Sequence, residues 1–88
     1  MRMKHLVLKC GFEIDVDEAM FEDMELLDAV AEMEKGRVLA LSVVAGKILG
    51  DRKAELYEFL RDESGRVPIP AVSEAVVEIF QRGASKNS

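Results

Sequence analysis

Eighty-eight residues, 49% hydrophobic and 33% charged, suffice for one domain of ordinary globular composition. They leave too little chain for a second core and are too apolar to stay disordered. The formal net charge is −5, and ten of the seventeen acids lie between positions 13 and 34 with no Lys or Arg among them. That half of the chain repels a phosphate backbone, so nucleic acid is disfavoured as a partner. A domain of this length buries only about 60–65% of the surface its unfolded chain exposes. Added stability through self-association is therefore expected.

Cys10 is the one cysteine. It rules out an intrachain disulfide framework and fits a reducing compartment. The apolar stretch near the N-terminus stops at Lys9, too soon for a secretory signal. The longest apolar run, 38–49, is too short to span a bilayer. A cytosolic protein that does not enter the membrane is expected.

In chain order, positions 6–16 alternate: Leu6, Leu8, Cys10, Phe12, Ile14 and Val16 against a mainly polar set. This is the period of a half-buried strand. So long a strand is unusual, and Gly11 in its middle predicts two short strands folded into a hairpin. Asp17 is the expected N-cap of a helix over 18–35, with Gly36 ending it. Its apolar residues make two stripes, Met20, Met24, Leu27 and Ala31, then Leu26, Val30 and Met33, interrupted by Asp23 and Glu34. Together they exceed the arc of about 100° that faces one core. A second helix over 38–49 has almost no polar side. Gly50 and Asp51 predict a stop and a new N-cap, giving a third helix over 52–61 with Leu56, Phe59 and Leu60 on one side and Tyr57 flanking. A turn at 62–65 and an extended link at Pro68 lead to a fourth helix over 70–82, with Val72, Ala75, Val76, Ile79 and Phe80 in register. The expected fold is mostly α (α+β): an N-terminal short β-hairpin or strand followed by four helices. It forms a single domain over 1–83 with a flexible tail over 84–88.

Catalytic and metal-binding patterns do not emerge. His5 and Cys10 have opposite parity and so fall on opposite faces of an extended strand, with Cys10 expected in the core and His5 at the surface. Without a second His or Cys, a closed zinc site would need carboxylates almost alone. Asp15 and Asp17 resemble the opening of a calcium loop, but Met20 stands where its glycine belongs. Gly46-Lys47 is not a phosphate-binding loop, because Leu41 and Ile48 occupy the required Gly and Ser/Thr positions. The expectation is a non-enzyme without cofactor or metal.

What the chain has in excess is apolar helix surface, with methionines of the type that line adaptable binding surfaces. One core with methionine fillers would account for it, and so would a covering partner. On the second reading, Leu26, Val30 and Met33 bind a partner, while Leu41, Val44 and Ile48 carry contacts of a homo-oligomer.

Phe-Glu-Ile-Asp-Val-Asp at 12–17, Asp-Met-Glu-Leu-Leu-Asp-Ala-Val-Ala-Glu at 23–32, Ile-Leu-Gly-Asp at 48–51, Leu-Arg-Asp-Glu-Ser-Gly-Arg-Val-Pro at 60–68 and Ala-Val-Ser-Glu-Ala-Val-Val-Glu-Ile-Phe at 71–80 occur in an order that carries a resemblance. From about Phe12 to Gln81 the chain resembles the small tail assembly chaperones of long-tailed bacteriophages and prophages of Gram-positive bacteria. It departs at 34–37, where an Asp-Gly-Asp-like loop is usual, and at Gly46, within a helix usually rich in leucine. The resemblance implies a chaperone that binds the hydrophobic tape measure protein in the bacterial host cytoplasm and is absent from the mature virion. It also implies recruitment of tail tube protein through a frameshifted extension, which Lys86-Asn87 permits if an A-rich run encodes them. The rival expectation is a small acidic regulatory domain that binds and inhibits a basic DNA-binding partner.

Overall fold

The computed structural model describes residues 2–84. Strand β1, Met3–Val7, pairs antiparallel with β2, Glu13–Asp17, with Leu6 opposite Ile14 and His5 opposite Asp15. The hairpin reverses where glycine was expected to turn it: Gly11 has φ +101°, and its N–H donates to Leu8 O at 2.8 Å. Leu8 and Phe12 close the loop through Leu8 N–H to Phe12 O at 2.9 Å. Leu6, Leu8, Phe12, Ile14 and Val16 are all buried, as the alternation predicts. Cys10 corrects that prediction, for it is exposed. It sits at the tip of the turn, where the backbone leaves the pleat and parity no longer sets direction.

The single helix expected over 18–35 is two pieces. A 3₁₀ turn, Glu18–Glu22, is capped by Asp17, which accepts from Ala19 N–H at 3.0 Å. Asp23 is then extended and caps α1, Met24–Glu34, accepting from Glu25 N–H at 3.0 Å. A short acid bonding the backbone two residues on competes with helix at its own position, so a second Asp six residues after the first cap restarts the helix. The break also lets Phe21 turn onto Phe80, with ring centroids 5.9 Å apart. Gly36, at φ +89°, ends α1 with its N–H on Met33 O at 3.0 Å.

Helix α2, Val38–Leu49, is continuous through Gly46 and begins without a side-chain cap. Asp51 does not cap the next helix; it lies in a 3₁₀ turn, Gly50–Arg52, that runs straight into α3, Lys53–Leu60. The residue before α3, Arg52, is already helical, so no extended position exists for a capping side chain. The turn at 62–65 is tied by Asp62 Oδ1, which accepts from Ser64 N–H at 2.9 Å, Ser64 Oγ at 2.6 Å and Arg66 N–H at 3.1 Å. These bonds hold the Asp62 carboxyl below its ordinary pKa, the Ser64 hydroxyl first among them. Helix α4, Ile69–Gly83, has Pro70 in its first turn, where no intrahelical N–H is needed. Ala84 N–H still bonds Phe80 O at 2.9 Å. The rest of the expected flexible tail, 85–88, lies outside the described residues.

Helix α1 packs on α2, while α4 packs against β1, α2 and α3. Leu6, Val16, Leu26, Val44, Leu56, Val76 and Ile79 are the largest fully enclosed side chains. Of the five apolar positions expected in register on α4, Val72, Ala75, Val76 and Ile79 are buried and Phe80 is half-buried against the core. This core fixes which sides of α1 and α2 remain outside.

Candidate protein-binding surfaces

Leu26, Val30 and Met33, the expected partner-binding stripe, face inward. Leu26 and Val30 are 2% and 7% exposed and Met33 packs against the core. Leu41, Val44 and Ile48, the expected self-association contacts, are buried as well. Both assignments are corrected for one reason. Each helix carries apolar residues around more than one side, and α1 and α2 turn these stripes toward each other and toward the core. The outside is therefore made by the opposite stripes.

On α1 the outward stripe is Met24, Leu27 and Ala31, spaced i, i+3, i+7 on one side of the helix. Met24 is 63% and Leu27 47% exposed. Glu25, Asp28 and Glu34 are exposed on the same helix, which carries no cation. A strip of apolar surface edged with carboxylates results.

A second apolar surface lies where the first half of α2 meets the start of α4. A groove of about 290 Å³ is lined by Val38, Leu39, Leu41, Ser42, Tyr57, Val67, Ile69 and Val72. Leu41 and Val72 form its buried floor, while Leu39, 84% exposed, and Ile69 stand at its edges. No charged side chain lines it, and cations neighbour its residues along the chain, Arg37 being paired with Glu32 at 3.0 Å. Arg37 precedes Val38, Arg66 precedes Val67, and Lys53 Nζ stands 5.9 Å from the Tyr57 ring centre. No carboxylate lines the groove. Sequence reasoning missed it because its walls come from α2, α3, the proline link and α4, and no one of these shows a groove by periodicity. The one available signal was Val38 and Leu39 on a helix without a polar side.

Elsewhere several acids and bases are tied to neighbours. His5 lies on the outer face of the hairpin, with Nδ1 2.7 Å from Asp15 Oδ1 and Nε2 3.1 Å from Glu13 Oε1. Hydrogen bonds to Asp15 and then Glu13 raise its pKa above the ordinary value. A wide, open cleft of about 600 Å³ runs from the hairpin tip along α4 and includes Cys10, Glu74, Glu78 and Arg82. Glu78 there accepts from Lys9 N–H at 3.1 Å and from Arg82 Nη1 at 2.8 Å. Burial pulls the Glu78 pKa upward, but these donors outweigh it and the net direction is down. Such a carboxylate stays ionised and is a poor proton donor near neutral pH. Among the described residues no group of three or more His, Cys, Asp or Glu could hold a metal ion. No helix among them is long and apolar enough to cross a membrane.

Neither a protein-family model, nor a characterised protein, nor a solved structure matches this chain.

Proposed function

We propose that this chain is a non-catalytic assembly chaperone that binds an apolar, basic helical segment of a client protein through the outward stripe of α1. The observation that carries the reading is Met24, Leu27 and Ala31 standing free of the core between carboxylates. An amphipathic client helix lays its apolar side against such a stripe, and its Lys and Arg residues meet the acidic margins. Charge steers the encounter, so association slows as salt rises. The order of sequence elements that resembles phage tail assembly chaperones names the client as a tape measure protein, held in the host cytoplasm until tail tube subunits enclose it. Recruitment of tube subunits belongs to a frameshifted extension beyond Ser88, which the coding sequence decides.

Co-expression tests the reading. A tape measure protein that aggregates alone should stay soluble with the wild-type chain and precipitate with Leu27→Asp, although that variant melts at an unchanged temperature. Equal protection by the variant would remove the stripe from the mechanism. Binding of a basic DNA-binding protein in place of the tape measure protein would favour the regulatory alternative.

A further inference from the structure

We propose that the outer edge of β2 receives an extended, basic segment of another protein as a third, antiparallel strand of the hairpin sheet. This docking place is separate from the α1 stripe and takes a strand in place of a helix.

The edge follows from the register. Leu8 N–H bonds Phe12 O at 2.9 Å at one end of the hairpin, and Glu18 N–H bonds Arg2 O at 2.8 Å at the other. In an antiparallel ladder, bonded pairs alternate with unbonded ones. The bonded pairs between those ends are Leu6 with Ile14 and Lys4 with Val16, so the main-chain groups of Glu13, Asp15 and Asp17 point away from β1. The matching edge of β1 is guarded: α4 packs against β1, and Arg82 Nη1 donates to Val7 O at 2.7 Å. On β2, Arg52 Nη2 donates to Glu13 O at 3.2 Å and closes the end near the turn. Beyond it, among the described residues, no helix packs closely along β2 and no third strand joins the sheet. Glu13–Asp17 also holds no Lys and no Pro, two common guards of an edge. The N–H and C=O of Asp15 are open to a strand from outside, and a sheet edge holds an extended peptide through such groups.

Charge chooses the occupant. Every second residue of β2 is an acid, Glu13, Asp15 and Asp17, and these share the outer face of the hairpin. Asp17 is committed to its cap on Ala19 N–H, while Glu13 and Asp15 are exposed. His5 bonds Asp15 Oδ1 and Glu13 Oε1, which leaves the second oxygen of each carboxylate. Like charges directly opposite on neighbouring strands repel and opposite charges attract. The β2 edge of a second copy is therefore rejected, and a strand with Lys or Arg at alternate positions is accepted. In an antiparallel pairing the residue opposite Asp15 exchanges both main-chain bonds with it and sets its side chain beside the carboxylate. Residues between the cations fall on the side of Ile14 and Val16, which suits β-branched apolar side chains.

The test uses the full chain and the peptide acetyl-Arg-Val-Arg-Val-Arg-Val-amide. Titration should show saturable binding that weakens as salt rises. In the complex, the Asp15 amide should exchange with solvent about 10-fold more slowly or less. The same peptide methylated on its arginine main-chain nitrogens keeps its charge and loses its ladder donors, so it should bind about 10-fold more weakly. Asp15→Pro removes an outward N–H and spares the ladder to β1, and should weaken the unmodified peptide to a similar degree. If that variant melts early, Glu13→Gln with Asp15→Asn replaces it and should lower affinity and flatten the salt dependence. Absence of saturable binding, equal binding of the two peptides, or protection of helix amides in place of Asp15 would overturn the proposal. So would affinity lost in Leu27→Ser and kept in Asp15→Pro, which would put the peptide on the α1 stripe.

Discussion

Helices α2 and α4 are both rich in aliphatic residues, yet only one of them announces its inner side. Helix α4 has Ser73, Glu74, Glu78, Gln81 and Arg82 to mark what must stay wet, and its apolar stripe is its buried stripe. Helix α2 has one charge, Lys47, along its whole length. Its neighbours enclose Leu41, Val44, Ala45, Ile48 and Leu49 and leave Val38, Leu39 and Val43 outside. Apolar content alone does not say where a helix is buried; the polar residues do. An apolar helix without them keeps surface available for another molecule.

The largest effects should break the comparison if it is wrong. Ile79→Ala in α4 and Ile48→Ala in α2 each remove a buried side chain and should cost about 2–5 kcal/mol. Val43→Ala on the outer side of α2 should change stability by less than about 0.5 kcal/mol. Denaturant titration of the three variants checks the assignment, and equal losses at Ile48 and Val43 would mean that α2 is enclosed all round.

Glycines sharpen the same contrast with opposite signs. At Gly83, the last residue of α4, an added Cβ would lie 2.5 Å from the Phe21 ring. Gly83→Ala should therefore destabilise by about 1–3 kcal/mol as the ring is displaced. At Gly46 in α2 nothing stands within 4 Å of an added Cβ. Gly46→Ala should stabilise by up to about 1 kcal/mol through helix propensity. Thermal melting reads both, and a loss at Gly46 would show that α2 is crowded on the side that looks open.

The smallest effect belongs to the hairpin. His5 has a raised pKa, from its hydrogen bonds to Asp15 and then Glu13. Its contribution is fully present below the unfolded value of about 6.5 and is lost as pH rises through the higher folded value. The pair is exposed, so the change should be slight. His5→Gln should flatten the melting temperature across that window; an unchanged slope would assign it to other groups.

The misreadings share a cause. Leu8, Cys10 and Phe12 have one parity, but the turn around Gly11 carries Cys10 out of the pleat while leaving its neighbours in register. Asp17 and Asp23 are equally good caps, and a propensity reading used the first and treated the second as an interruption. The two stripes of α1 differ little in composition. Assigning Leu26 and Val30 to a partner picked the stripe that faces the core, because periodicity measures spacing and not direction.

The amino-acid order by itself determined several elements: alternation and Gly11 made the hairpin, Gly36 and Gly50 bounded α2, and the polar residues of α4 chose its core side. These outcomes depend on local backbone geometry and on contrast within a few turns of chain. Only the tertiary structure decided which stripes of α1 and α2 face inward, and only it assembled a groove from Val38, Tyr57, Val67 and Ile69. Apolar surface is attracted to any other apolar surface without preferred direction. Where a helix offers it on several sides, the neighbours that pack first settle which side is left to meet a partner.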